Sequence, residues 1–109
     1  MIDQKSIAVL PFVNMSSNIE NEYFCDGLTE EIINALAKIK QLSVTSRTSS
    51  FYFKNKIVTA KKIRENLKVA TFIEGSVRVS KHKMRITVQM IDTLEDFHFW
   101  SETFDRNPE

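Results

Sequence analysis

The chain has 109 residues, of which 42% are hydrophobic and 27% charged, a composition typical of one globular domain. That apolar content excludes intrinsic disorder, and two glycines with two prolines exclude a linker or a collagen-like chain. A single cysteine excludes a disulfide framework and a cysteine-rich zinc site. No apolar run approaches the ~20 residues of a membrane span, so we expect no membrane association.

The net charge of +1 conceals an uneven distribution along the chain. Residues 1–31 contain one basic and six acidic residues, residues 32–85 contain thirteen basic and two acidic, and residues 86–109 contain one basic and six acidic. A basic middle segment is typical of a surface for nucleic acid or anionic lipid. We favour the simpler interpretation, in which the acidic terminal elements fold beside the basic ones and screen them.

The first part of the chain predicts a buried strand followed by a long helix. Residues 6–13 form a nearly continuous apolar run, which is typical of an interior strand, and this strand should end or bulge at Pro11 because proline lacks an N–H. Residues 20–39 predict a helix, with Asp26 or Thr29 as alternative caps if the helix restarts near Gly27. Its apolar stripe recurs every three or four residues and comprises Phe24, Leu28, Ile32, Leu36 and Ile39.

The middle of the chain predicts a short strand and two short helical segments. Residues 42–46 alternate apolar and polar side chains, as strands do. Phe51 and Phe53 indicate one helical turn that fills the core with aromatic rings, and Asn55 suits a positive φ in the following loop. Thr59 is placed to cap a helix over residues 60–67.

The last part predicts three strands joined by short polar connections. Residues 69–79, 84–91 and 97–104 are rich in β-branched and aromatic side chains, which indicates two successive hairpins, a meander. The predicted order is β-α-β-α-β-β-β, an α/β (α+β) fold with helices packed on a mixed sheet. An open sheet leaves free edges, so we also expect that a homodimer could form through a sheet edge.

Candidates for metal binding or nucleophilic catalysis are few. The two histidines, His82 and His98, share no metal-ligand spacing, and Cys25 is distant from both in sequence. Nothing near Cys25 indicates the orienting group or oxyanion hole that a Cys–His pair would need. The isolated glycines form no phosphate-binding loop.

Glu74 is the residue most easily mistaken for an acid–base catalyst, because it lies in the middle of a predicted strand. An unpaired buried carboxylate is costly, so a partner is expected. We predict that Glu74 contacts Arg47, Arg78 or Arg85, or a backbone N–H, and stabilises the fold. Asp26 and Arg47 could likewise form an ion pair.

The last predicted strand is rich in aromatic residues, namely Phe97, Phe99, Trp100 and Phe104. Such a strand beside Arg78 and Arg85 is typical of a base-stacking platform in single-strand binders. Because neighbouring side chains alternate between the two faces of a sheet, at least one set of rings should lie in the core. We favour the core interpretation.

Several short motifs follow one another in order along residues 6–106. They are SIAVLPF at 6–12, EYF at 22–24 with DGLTEEI at 26–32, SRTSSF at 46–51, FIEGSVR at 72–78 and WSETFDR at 100–106. This ordered set resembles the TolB amino-terminal-like domain, which recurs in bacterial adenylate/guanylate cyclase-associated and tetratricopeptide-repeat proteins. On that basis residues 1–109 form one such domain, with its core at 6–106.

The resemblance implies a non-enzymatic accessory domain of a longer multidomain protein, with no catalytic residue, cofactor or metal. Its expected role is protein–protein interaction or signal relay, and its expected partner is a protein. The alternative is a small-molecule- or nucleotide-sensing or nucleic-acid-binding module that uses the basic region between Arg47 and Arg85, although we do not expect nucleic acid. Since no signal peptide is evident, we expect a cytoplasmic location, or a periplasmic one if an export signal was removed.

The motif residues are expected to serve mainly as structural support. Asp26 and Thr29 should cap a helix, and Gly27 and Gly75 should permit close backbone approach. The expected polar supports also include Arg47, Glu74 and Arg78. The expected interaction surface comprises Arg85, Gln89 and Trp100.

Overall fold

The computed structural model describes residues 2–107, and these follow the predicted order with one additional short strand. The strands are β1 Ser6–Val9, β2 Val13–Asn14, β3 Ser43–Val44, β4 Thr71–Ser80, β5 Lys83–Asp92 and β6 Phe97–Arg106. The helices are α1 Glu20–Ala37, α2 Arg47–Phe51 and α3 Ala60–Leu67. The expected domain limits, 1 and 109, lie outside the described residues.

The strands form one mixed sheet in the order β3-β1-β4-β5-β6, with β2 also paired to β4. β1 runs parallel to β3 and β4, whereas β4, β5 and β6 form an antiparallel meander. The predicted α+β fold with a C-terminal meander is therefore confirmed. β1 is an interior strand with every residue buried, as its apolar run predicts.

The helices divide the core between the two faces of the sheet. α1 packs on one face, mainly against β1 to β4, and buries Cys25 and Ile33 beside Val9 and Val77. On the opposite face the segment from α2 to α3 buries Phe53 and Ile63 with other apolar residues. Neighbouring β1 residues point to opposite clusters, as strand alternation requires.

β1 and β2 follow β4 as one strand interrupted by a bulge at Pro11. The last residue of β1 pairs with Ile73 and the first residue of β2 with Ser76, so residues 10–12 lie opposite only two residues of β4. An extra residue of this kind bends a strand and interrupts its ladder. The prediction that the strand ends or bulges at Pro11 is confirmed.

The Thr29 side chain joins α1 to this bulge. The Phe12 N–H donates a hydrogen bond to Thr29 Oγ1 at 2.9 Å, and the Thr29 hydroxyl donates to the Cys25 carbonyl at 2.8 Å. Both bonds are buried, and Thr29 has no exposed surface. Thr29 and Asp26 thus lie inside a continuous helix, so their expected capping roles are wrong.

α1 begins well before those residues and buries a different stripe from the predicted one. The Asn18 side chain accepts a hydrogen bond from the Glu20 N–H at 2.9 Å, at the start of the helix. The buried positions are Cys25, Thr29 and Ile33, whereas Phe24 and Ile39 at the ends of the expected stripe are exposed. The remaining members, Leu28, Ile32 and Leu36, flank the contact and are half-buried.

The region from α2 to α3 agrees with most of its local sequence signals. Phe53 is buried in the core as expected, whereas Phe51 is only half-buried, and Asn55 takes a positive φ of 63° in the loop. The Thr59 side chain caps α3, which spans the predicted residues, by accepting a hydrogen bond from the Lys62 N–H at 3.2 Å.

The two glycines have different environments. A Cβ on Gly75 would come closer than 3.0 Å to the Phe12 ring and to the Thr87 carbonyl oxygen, so the ring packs where only glycine leaves space. A Cβ on Gly27, on the exposed side of α1, would meet nothing within 4 Å. The expected close approach at Gly27 is therefore wrong.

The two sites give a matched pair of substitutions. Gly75→Ala should lower the free energy of unfolding by about 1–3 kcal/mol or more, because the ring and the neighbouring strand must move. Gly27→Ala should raise it by about 0.5–1 kcal/mol, because alanine is the better helix former. Urea denaturation of both variants measures the difference, and equal effects of the same sign would contradict this packing.

Candidate functional site

The meander has a polar face that the helices leave partly uncovered. Strand alternation places polar side chains of β4 and β5 on the face opposite α1. The register sets Glu74 opposite Gln89, Ser76 opposite Thr87, and Arg78 opposite Arg85. The segment from α2 to α3 covers the neighbouring Phe72 and Ile91 but not this polar set.

Two adjoining grooves follow this face. The first has a volume of about 570 Å³, with residues 10–15 and 53–57 as its walls and Glu74 and Gln89 on its floor. The second, of about 310 Å³, is lined by Arg78, Lys83 and Arg85 among others. Because Met15, Ser76 and Thr87 line both, we call the combined feature the trough.

Glu74 has none of the partners predicted for it. Within residues 2–107 its carboxylate forms no hydrogen bond or ion pair, although the side chain is half-buried. Burial raises the pKa of Glu74, with His98 opposing the rise and Asp96 adding to it. The expected contact with an arginine or a backbone N–H is wrong, because Arg47 and Arg85 have other partners and Arg78 makes no such bond.

Arg47 and Asp26 are ion-paired, but not with each other. Arg47 pairs with Glu30 of α1, and its guanidinium lies 4.0 Å from the centre of the Phe51 ring. Asp26 Oδ2 is 2.7 Å from Lys54 Nζ, which also lies 3.3 Å from a Glu22 oxygen. These pairs fasten α2 and the following loop to α1.

Two of the three residues expected to form the interaction surface lie on the same face of the sheet. Arg85 and Gln89 share the trough face, whereas Trp100 pairs with Met90 and lies on the face of α1. Arg85 is paired with Asp105, its Nε lying 2.9 Å from a carboxylate oxygen. Sequence reasoning identified the polar side of β5 but missed Ser76, Lys54 and the trough, which depend on distant segments meeting over β4.

The aromatic residues of β6 are exposed, so their predicted core location is wrong. The exposed fractions are 66% for Phe97, 57% for Phe99, 42% for Trp100 and 37% for Phe104. Every residue of β6 is exposed, because it is the last strand of the sheet and α1 packs mainly against β1 to β4. We call these four residues and the free side of the strand the β6 edge.

The candidates for nucleophilic or metal chemistry lie apart. Burial, and then the charges of Glu22 and Asp26, raise the pKa of Cys25 to about 11, so the thiol is protonated at neutral pH. Cys25 lies on the buried face of α1, while His98 pairs with Ile91 of the opposite cluster. Across residues 2–107 no His, Cys, Asp or Glu side chains group as a metal site would require.

The described helices are also not membrane spans. Among residues 2–107, no helix combines the length and hydropathy needed to cross a bilayer.

Comparison with known sequences gives a family and one curated relative. The family model of the HilA/YgeH-like transcriptional regulator, second domain, matches residues 3–109. The chain is 47% identical over 104 residues to "Putative adenylate cyclase 3" of Rhizobium meliloti (strain 1021). That match covers 95% of this chain but only 18% of the relative.

Comparison with solved structures shows the fold alone, since the sequence identities are low. Lipoprotein GNA1162 from Neisseria meningitidis aligns with a TM-score of 0.75 at 14% identity, covering 94% of this chain and 80% of that one. TolB from Acinetobacter baumannii aligns with a TM-score of 0.62 at 15% identity, covering 97% of this chain and 24% of TolB.

The unpartnered Glu74 predicts a pH-dependent effect of substitution. Its pKa is higher in the folded than in the unfolded chain. Its favourable contribution is therefore complete below the unfolded pKa of about 4.5 and is lost as pH rises through the folded pKa. Glu74→Gln should therefore raise the urea midpoint at neutral pH, with a gain that shrinks toward pH about 4. Glu102→Gln, on the exposed β6, is the control. A lower midpoint at neutral pH would contradict the absence of a stabilising partner.

Proposed function

We propose that this chain, which belongs to the family of the second domain of HilA/YgeH-like transcriptional regulators, is a non-enzymatic accessory domain that binds a polypeptide. The family description, a second domain of a regulator, supports an accessory role. The much longer sequence relative supports a place beside other modules. Signal relay between such modules would then require a contact surface on this domain.

The β6 edge is the observation that carries the proposal. One side of β6 pairs with β5, and the other has no strand beside it within the described residues. A free strand edge offers a row of unpaired N–H and C=O groups, which another extended chain can satisfy. The four exposed rings supply apolar area along the same edge.

We expect the bound segment to be extended rather than helical. A helix satisfies its own backbone groups, so it cannot pair with the free N–H and C=O groups of a strand. Glu102 and Arg106 lie on the same face as Trp100 and Phe104. A partner strand with a basic residue opposite Glu102 and an acidic one opposite Arg106 would therefore fit best.

The arrangement of positive charge gives less support to the alternative of nucleic-acid binding. Of the basic residues between Arg47 and Arg85, four have carboxylate partners close by, namely Arg47, Lys54, Lys62 and Arg85. The lysines of α3 precede β4, whereas Arg78 lies near its far end, and a ten-residue strand extends over about 30 Å. The basic segment is thus divided between two ends of the sheet.

The finer assignment is to a TolB amino-terminal-like domain comprising residues 1–109, in a cytoplasmic protein. The TolB alignment supports the first part through the fold, and the name of the regulator family supports the second. The likeness to a lipoprotein concerns the fold alone. Homodimerisation through the β6 edge is the special case in which the added strand is β6 of a second copy.

Peptide selection tests binding at the β6 edge. A phage-displayed library of short random peptides is selected against the chain, and affinities of synthetic copies are measured by fluorescence anisotropy. Trp100→Lys should weaken the selected peptides at least about tenfold, as expected for loss of an aromatic anchor. Leu94→Lys, which changes an exposed apolar residue in the turn before β6, is the matched control.

A backbone modification separates strand addition from general apolar contact. Methylating the nitrogen of alternate residues in a selected peptide removes donors from one side of its backbone, so one of the two alternating sets should abolish binding. Failure to select any peptide, or equal binding by Trp100→Lys and Leu94→Lys, would overturn the proposal.

A further inference from the structure

The trough contains polar side chains that the fold does not use. Within residues 2–107, no hydrogen bond or ion pair involves the side chains of Glu74, Ser76, Arg78, Thr87 or Gln89. Their neighbours across the sheet are one another, in the register described above. Glu74, Ser76, Thr87 and Gln89 are half-buried and Arg78 is exposed, and all five line the trough, so their polar groups are available to a ligand.

Charge at the Arg78 end of the trough is uncompensated. Arg78 lies directly opposite Arg85, and like charges in this position repel. Asp105 neutralises Arg85, but among the described residues no carboxylate pairs with Arg78. Lys83 lines the same groove and adds further positive charge.

The Glu74 end has the opposite property. The carboxylate is half-buried and unpartnered on the floor of the larger groove. Lys54 is already held by Asp26 and Glu22, and Lys56 lies over the Tyr52 ring, 3.5 Å from its centre. The charge of His98 lowers the pKa of Glu74, but within residues 2–107 the two side chains form no hydrogen bond or ion pair. A cation from outside the domain would therefore find an unoccupied carboxylate.

The spacing of the two ends specifies the ligand. Glu74 and Arg78 are four residues apart on one face of β4, which corresponds to about 13 Å, with the Ser76 and Thr87 hydroxyls between them. We propose that the trough binds an extended peptide with a cationic side chain at Glu74 and a carboxylate at Arg78, four residues apart. An extended peptide has the same rise per residue as β4, so its residues i and i+4 match both ends.

This site is separate from the β6 edge. The trough lies on the face opposite α1, whereas Trp100 and Phe104 lie on the face of α1. Loss of binding at one site should therefore leave binding at the other unchanged, and different variants test the two proposals.

Blocked peptides of defined charge test the trough. The series is Lys-Ser-Thr-Ser-Glu, its counterparts with Lys at both ends or Glu at both ends, and a neutral one with Gln at both ends. Binding is measured at low salt by amide chemical-shift changes. The mixed-charge peptide should bind at least about tenfold more tightly than the neutral one, and the shifts should centre on residues 74–78.

Charge reversal should change which peptide binds best. Arg78→Glu should favour the peptide with two lysines, and Glu74→Arg the peptide with two glutamates. Glu74→Gln, which keeps the shape, should remove the preference for lysine if Glu74→Arg fails to fold. Lys81→Glu, the same charge change outside the trough lining, is the control and should leave the order unchanged.

Three results would overturn the proposal. The first is that Arg78→Glu binds the four peptides in the same order of affinity as the unmodified chain. The second is that the amide chemical-shift changes centre on β6 instead of β4. The third is that free lysine binds as tightly as the mixed-charge peptide, which would indicate a small-ligand site. Peptides that bind the β6 edge should bind Arg78→Glu and the unmodified chain with the same affinity. If no such peptide is found, that result concerns the β6-edge proposal and not the trough.

Discussion

The buried hydrogen bond from the Phe12 N–H to the Thr29 hydroxyl is the contact on which the functional surfaces depend. At the bulge, the Phe12 N–H finds its acceptor on α1. Without that hydroxyl a buried donor would be left unsatisfied, at a cost of about 1–3 kcal/mol. The bond also positions the Phe12 ring over Gly75, where a side chain would leave no room. Residues 10–15 can then run along β4 and form one wall of the trough.

The domain has two different recognition surfaces because its helices cover the sheet incompletely. On the face of α1 the helix packs mainly on β1 to β4, which leaves apolar side chains of β6 in solvent. On the other face, the segment from α2 to α3 covers Phe72 and Ile91 and stops short of Glu74. Strand alternation makes the first uncovered area apolar and the second polar. One sheet therefore presents an aromatic edge and a trough with one acidic and one basic end.

Local signals predicted much of the fold. The Thr59 cap, the positive φ at Asn55 and the bulge at Pro11 each depend on the chemistry of one residue and its neighbours, and all three are present. The order of strands and helices followed from changes in hydrophobic period. These features need no knowledge of which elements meet.

Several of the wrong predictions have a different cause, because they depended on contacts between distant segments. The buried stripe of α1 includes Thr29 because a hydroxyl is needed at the bulge, which no helical period reveals. Glu74 was expected to contact an arginine or a backbone N–H, yet Arg47 and Arg85 lie beside other carboxylates. The rings of β6 were placed in the core because aromatic composition does not show whether a helix covers a strand.

Hydrogen exchange at the Phe12 amide is the most direct test of the link between α1 and the bulge. The account predicts that this amide is protected to the same degree as the paired amides of β4, despite lying beside Pro11. In Thr29→Val, which removes the acceptor but keeps the shape, its protection should fall more than that of Ile73. Rapid exchange of Phe12 in the unmodified chain, or equal protection in Thr29→Val, would contradict the central role of this bond.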